Sequence, residues 1–233
     1  GAATKFSQMH LDAHKTYEAV LRLGQRTTTA DAEGELIAER PVAYTAERLS
    51  EVVRQFTGVI RQVPPMHSAL KKDGRALYEY ARAGIEVERT AREIEIFKLD
   101  VIDPCVDGSP SAIKIRVFCS KGTYIRTLGE DIGEALGCGA HLASLRRIAT
   151  GPFGLERCVT LAALEAMDEA QRERCLLPVE ALLDDHSPLT LEAVDVARFL
   201  NGVRRRGSLR RAITLALPTM AVAPFSFRAQ LMS

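Results

Sequence analysis

Apolar and polar positions alternate through "KTYEAVLRL" (residues 15–23). Tyr17, Ala19, Leu21 and Leu23 fall on one side and Thr16, Glu18, Val20 and Arg22 on the other. A period of two predicts a half-buried strand. The polar stretch 24–35 reads as a turn or loop, and "LIAERPV" as a second strand. "REIEIFKLDVID" and "SAIKIRVFCS" predict two more strands, with "DPCVDGSP" supplying turn residues between them. After Thr45 the spacing changes. Leu49, Val52, Val53 and Phe56 recur with a helical period, Thr45 is the expected N-cap, and Gly58 lies near the end. Pro64 and Pro65 interrupt "QVPPMHSALKKDG", which reads as a loop. "RALYEYARAG" predicts a short helix closed by Gly84, and another helix is expected from about Thr127 to Leu136, ending at Gly137. "HLASLRRIATGPFG" is a mixed segment containing a strand, and the chain after Leu161 is helix-rich. Strands and helices do not alternate regularly. The pattern therefore predicts an α+β fold with a mixed or antiparallel central sheet and flanking helices. Residues 208–233 are apolar and poor in acids, and their weak alternation assigns no element.

Composition narrows this picture. The chain has 233 residues, 46% hydrophobic and 26% charged, enough for one large or two modest domains with a real core. The net charge of +1 gives no global field, so an anionic partner must be met by local clusters. The five cysteines are odd in number and without repeating spacing, which suits reduced thiols. No apolar run is long enough to span a bilayer. Cys138 and His141 form a C-x-x-H pair, but zinc needs four ligands and no second pair lies nearby, so no metal is expected. The common phosphate-loop, dinucleotide, zinc-protease and serine-hydrolase motifs are absent.

Three clusters carry candidate chemistry. Lys121, Tyr124 and Arg126 meet at a strand-to-helix junction, where Gly122 permits a tight turn. If the strand continued, Tyr124 and Arg126 would share a face and could hold a flat anionic group. The same residues could equally form a surface ion pair with Glu130 or Asp131. Lys71, Lys72 and Arg75 flank the proline-stiffened loop and suit phosphate contacts, or simple solvation. Residues 204–211 form a denser basic run. Tyr17 either packs in the core or offers a stacking platform for a flipped base. On the residues alone these alternatives stay open.

The blocks "GAATKFSQ", "KTYEAVLRLGQRTTTADAEGE", "QVPPMHSALKKDGRALYEYARAGIEVER", "CSKGTYIRTLGEDIGEALGCGAHLASLRR" and "LLPVEALL" resemble, in order and spacing, the bacterial tRNA pseudouridine synthase B (TruB-type) family. The resemblance covers about residues 1–200. It implies a pseudouridine synthase domain over 1–183 and a shortened or altered PUA-like region over 184–233. It implies isomerisation of uridine 55 in the tRNA T-loop to pseudouridine, by a cytoplasmic monomer that needs no cofactor. By the same resemblance Arg126 pairs with the catalytic aspartate and Tyr17 stacks on the target base. Leu145 and Tyr124 line the pocket, and Lys71, Lys72, Arg75 and Lys121 meet RNA. The nucleophilic aspartate belongs to a G-H-T-G-x-L-D-P-type motif upstream of "ATKF". The expectation is therefore that it lies outside this chain, that Asp12 and Asp31 are no substitutes, and that the chain alone is inactive. The rival expectations are an inactive T-loop RNA-binding or RNA-chaperone module and a structural protein that binds no RNA.

Overall fold

The computed structural model describes residues 2–183 and 193–201. It divides into one unit over Gly1–Leu182 and a second over Leu183–Ser233. In the first unit, α1 (Ser7–Leu11) precedes β1 (Lys15–Leu23), β2 (Gln25–Thr27) and β3 (Leu36–Glu39). Next come α2 (Ala46–Gln55), β4 (Gly58–Gln62), β5 (Lys71–Lys72), β6 (Arg75–Ala76) and α3 (Leu77–Arg82). The chain continues through β7 (Arg92–Asp103), β8 (Ala112–Cys119), α4 (Ile125–Ala135), β9 (Ala140–Thr150) and β10 (Phe153–Gly154). Two short helices follow, α5 (Leu161–Ala166) and α6 (Glu169–Arg174). In the second unit the described helix is α7 (Ala193–Leu200). The basic run and the apolar tail lie outside the described residues.

Six strands form one antiparallel sheet in the order β10-β9-β1-β8-β7-β4. The α+β expectation holds, and the sheet is antiparallel. Alternation decides which face is wet. Ala19, Leu21 and Leu23 of β1, with Ile113, Ile115, Val117 and Cys119 of β8, are buried in the core. On the opposite face Glu18 lies between Lys114 (2.8 Å) and Arg116 (2.6 Å). Phe97 and Phe118 pack there at a tilt, each meeting His14 edge-on.

Two helices cover the core face. The hydroxyl of Thr45 accepts from the N–H of Arg48 at the start of α2, as the sequence predicts. Such a cap is worth about 1 kcal/mol. Leu49 and Val52 turn inward from α2. From α4, Leu128 and Ile132 are buried. Gly133 lets α4 come down on β9, because a Cβ there would fall on the backbone of Gly139 and Ala140. Overpacking of that kind costs about 1–3 kcal/mol, so the close approach fixes the helix firmly on the sheet.

Several local expectations are corrected. Gly58 opens β4 rather than simply ending a helix, because its φ of 98° turns the chain back to pair with β7. The loop after β1 contains β2, paired with β3. Lys71 and Lys72 are not in an irregular loop. They pair with Arg75 and Ala76 across Asp73 and Gly74, both at positive φ, as a tight Asp-Gly hairpin requires. The helix-rich stretch after Leu161 opens with two helices, α5 and α6, split where Met167 is extended and Asp168 builds a capping box with Gln171. Helix α4 begins at Ile125, so Tyr124 and Arg126 do not share a strand face.

One carboxyl in α4 is placed at a cost. Burial, and then the neighbouring Glu130 charge, push Asp131 from 3.8 up to about 6. The fold thus disfavours its ionised form. The penalty is absent below the ordinary carboxylate range, grows as pH rises, and is complete above about pH 6. Asp131→Asn should therefore gain stability relative to the parent between about pH 4 and about pH 6. Urea midpoints across that range check this. A difference that does not change with pH would show that the carboxyl is not strained.

Candidate active site

The site grows from the turn that joins β8 to α4. Ser120 ties the end of β8 to β7: its N–H donates to the Glu95 carbonyl (2.8 Å), and its Oγ accepts from the Glu95 N–H (2.9 Å). Thr123 Oγ1 donates back to the Ser120 carbonyl (3.0 Å), and Gly122 takes a φ of 77° that other residues rarely adopt. Tyr124 is the N-cap of α4, without a side-chain cap bond. Its backbone is instead held by Gln62, whose Oε1 accepts from the Tyr124 N–H (3.0 Å) and whose Nε2 donates to the Tyr124 carbonyl (3.1 Å). Arg126 follows in the first helical turn.

The Arg126 guanidinium has two protein acceptors. Nη1 donates to Asp31 Oδ2 (2.9 Å), and Nη2 donates to the carbonyl of His67 (2.9 Å). Asp31 sits in the β2–β3 loop. Its other oxygen, Oδ1, accepts from Thr29 Oγ1 (2.5 Å) and from the Glu33 N–H (3.2 Å). The loop is anchored on β9, where the Leu142 N–H donates to the carbonyl of Ala30 and Asp31 bridges Leu142. Burial raises the Asp31 carboxyl, but the hydrogen bonds from Thr29, Arg126 and the Glu33 N–H, with the Arg126 charge, outweigh it. Asp31 is held below the ordinary carboxylate range and is ionised at neutral pH. The resemblance pairs Arg126 with an aspartate outside this chain and sets Asp31 aside as a nucleophile; in the structure Asp31 is the carboxylate bound to Arg126.

Tyr17 and Leu145 share the sheet face on which α4 lies. Tyr17 stands opposite Arg147 on β9, and Ala19 opposite Leu145. Tyr17 is partly buried against the core, whereas Leu145 is 48% exposed. Leu145 is three residues along β9 from Leu142, the residue bridged by Asp31. The strand rise puts it about 10 Å further along. Arg147 adds a cation beside Tyr17, and burial followed by that charge lowers the Lys15 amine. Arg147 was legible as the residue two positions beyond Leu145 in "ASLRR", but only the β1–β9 register sets it opposite Tyr17.

The basic candidates are less uniform. Lys121 pairs with Asp12 (2.8 Å), and Lys72 Nζ donates to the Glu88 carbonyl (2.9 Å). Arg75 meets Glu79 (3.7 Å) and lies over the Tyr80 ring. Lys71 is exposed and has no such partner among the described residues. Glu130, suggested as a partner of the turn, pairs with Arg26 instead. Cys138 and His141 are buried and engaged with backbone carbonyls of Gly133 and Gln25. Among the described residues no group of three or more His, Cys, Asp or Glu could hold a metal ion. None of the described helices is long and apolar enough to cross a membrane. A cavity of about 380 Å³ lined by Arg22, Gln25, Glu39 and Arg40 opens at the other end of β1 and includes none of the site residues.

Residues 1–125 match the family described as TruB family pseudouridylate synthase (N terminal domain), and residues 126–184 match the tRNA pseudouridylate synthase B C-terminal domain. The chain is 60% identical over 204 residues to the tRNA pseudouridine synthase B of Ralstonia nicotianae, covering 88% of this chain and 65% of that protein. It is 56% identical over 222 residues to the protein of the same name from Verminephrobacter eiseniae, covering 93% and 66%. The chain thus spans a little under two thirds of the length of these relatives. Among solved structures, a Cbf5-Nop10-Gar1 complex contains a chain that matches with a TM-score of 0.60 at 26% identity, over 85% of this chain and 52% of the other.

Arg126 spans two acceptors that a lysine ammonium on its single stem cannot reach in the same geometry. Arg126→Lys should therefore loosen the 63–70 segment while leaving far-UV circular dichroism unchanged. Limited proteolysis should cut that segment faster. An unchanged cutting rate would show that the His67 contact restrains nothing.

Proposed function

Because the chain belongs to the TruB family of pseudouridylate synthases, we propose that its Arg126 face serves the isomerisation of a tRNA uridine to pseudouridine. The finer assignment is uridine 55 of the T-loop. In that reaction the bond from the ribose to N1 breaks, the base turns, and a carbon–carbon bond forms to C5. C5 loses its proton and N1 gains one, so the reaction is redox-neutral and calls for no cofactor.

The observation that carries the reading is the Asp31–Arg126 pair, anchored through Leu142 on β9, the strand that also carries the exposed Leu145 alongside β1 and its Tyr17. A base must leave its stack to react, and it needs a flat apolar slot. Tyr17 supplies the stacking ring, and Leu145 and Tyr124 supply walls. A guanidinium has five N–H donors. The contacts to Asp31 and His67 use two of them, which leaves donors for a second carboxylate. That second carboxylate is assigned to the G-H-T-G-x-L-D-P-type motif that the resemblance places ahead of residue 1. By this reading the described residues provide pocket walls and the arginine, and the upstream motif provides the nucleophile. On this reading residues 1–183 belong to the synthase domain and 184–233 to a shortened or altered PUA-like region, in a cytoplasmic monomer.

RNA is gripped by the segment between β4 and β7. Lys71 is available to a phosphate as the structure stands. Lys72, Arg75 and Lys121 reach one only by exchanging their internal partners, and such exchange accompanies loop rearrangement on binding.

The test is tritium release from C5-labelled uridine in a T-arm RNA by the full-length protein. Release is expected, and Arg126→Ala should lower its rate by roughly 100-fold or more. RNA binding should stay within about threefold, because the arginine acts on the carboxylate rather than on the backbone. Salt-sensitive RNA binding by the parent protein without release would favour a non-catalytic RNA-binding module. No RNA affinity at all would point to a structural protein.

A further inference from the structure

Gln62 ends β4 at the edge of the sheet, and it is only 2% exposed. A buried carboxamide is costly unless both of its ends are bonded. Here both ends close on one residue, Tyr124, through its N–H and its carbonyl. The Tyr124 carbonyl also accepts the Leu128 N–H (3.0 Å), the first bond of α4. The Gln62 amide therefore sets the plane of the peptide that launches the helix, and Arg126 stands in the first turn beyond it.

Gln62 is also the root of the RNA-gripping insertion. Its partner across the β4–β7 pair is Arg92, so the chain leaves the sheet at Gln62 and returns at Arg92. Val63, Pro64 and Pro65 follow directly, and the proline pair stiffens the exit. Within the insertion, Arg89 Nη1 donates to the Pro64 carbonyl (3.1 Å), tying the outgoing and returning segments together. Two residues beyond that proline pair, the His67 carbonyl accepts from Arg126. The insertion thus reaches the Arg126 turn at two points: at its root, where the Gln62 side chain holds the Tyr124 backbone, and further along, where the His67 carbonyl accepts from the guanidinium.

We propose that Gln62 is a positioning residue for the isomerisation: its carboxamide holds the Tyr124 turn, and so Arg126, in register with the insertion that grips the RNA. The proposal rests on the functional reading above. Gln62 touches neither base nor reacting carboxylate. When RNA shifts the insertion, the His67 carbonyl can leave Arg126 and free a guanidinium donor. The amide pair at the root keeps the turn fixed while that happens. Removing the amide should leave the RNA grip intact and let the arginine wander, and a displacement of about 1 Å can cost on the order of 100-fold in rate.

The experiment measures RNA dissociation constants and single-turnover pseudouridine formation on a T-arm RNA with full-length protein. Gln62→Met keeps the volume and removes both hydrogen bonds. It should lower the rate roughly 10–100-fold and change RNA affinity by no more than about threefold. Gln62→Glu adds a signature that general loosening would not produce. A carboxylate at that place can accept from the Tyr124 N–H but opposes its carbonyl, whereas the protonated acid can serve both. Burial raises such a carboxyl, so the rate relative to the parent should recover as pH falls from about 8 to about 6. If Gln62→Met fails to fold, the Gln62→Glu pH profile alone decides. A parent-like rate in Gln62→Met, a loss confined to RNA affinity, or a Gln62→Glu ratio that does not respond to pH would each overturn the proposal. A parent protein that forms no pseudouridine would overturn the functional reading instead.

Discussion

Arg126 occupies the first turn of α4, where the helix dipole disfavours a cation. Asp31 holds it there. The β2–β3 loop fixes one carboxylate oxygen with Thr29 and the Glu33 N–H and presents the other to the guanidinium. Everything else at the site depends on this pair. The loop is pinned to β9 at Leu142, α4 is pressed on β9 through Gly133, and β9 carries Leu145 and Arg147 toward Tyr17. The ion pair thus closes a ring of contacts around one strand.

The parts of the ring differ in stiffness. The C-terminal half of α4 rests on the sheet at a backbone-to-backbone approach that no side chain could share, and the start of α4 is held by the paired bonds from Gln62 to the Tyr124 backbone. The insertion between β4 and β7 reaches Arg126 through one carbonyl, that of His67, and is otherwise organised by its own short hairpin and helix. A well-held arginine beside a segment held by few bonds suits the proposed reading, in which the site admits a folded RNA loop. Asp131, half-buried later in α4 with its ionisation opposed, is a cost carried within the same helix.

Much of this was legible along the chain, for a physical reason. Strands β1, β7 and β8 each have one face in the core and one in water, so their residues alternate. Thr45 announces α2 because a cap must satisfy a helix start locally. Strand β4 was not legible: it follows α2 almost directly, is five residues long and pairs on one side only. The resemblance singled out Tyr17, Arg126 and Leu145, but which groups meet them is a matter of register. Asp31 and Arg126 are 95 positions apart, and Gln62 and Tyr124 are 62 apart. Asp31 lies in a Thr- and Asp-rich stretch that reads as an ordinary turn, and a single Gln at a strand end carries no pattern. Only the folded sheet brings these residues together.

The central claim is that Asp31 and Arg126 act as one unit in converting uridine to pseudouridine. A double-mutant cycle on the single-turnover rate of the full-length protein tests it most directly, using Asp31→Asn, Arg126→Gln and the two combined. Residues that act as a unit are non-additive. The double variant should be no slower than the slower single variant. Losses that multiply would contradict the account, because they would show that the two residues serve the reaction independently.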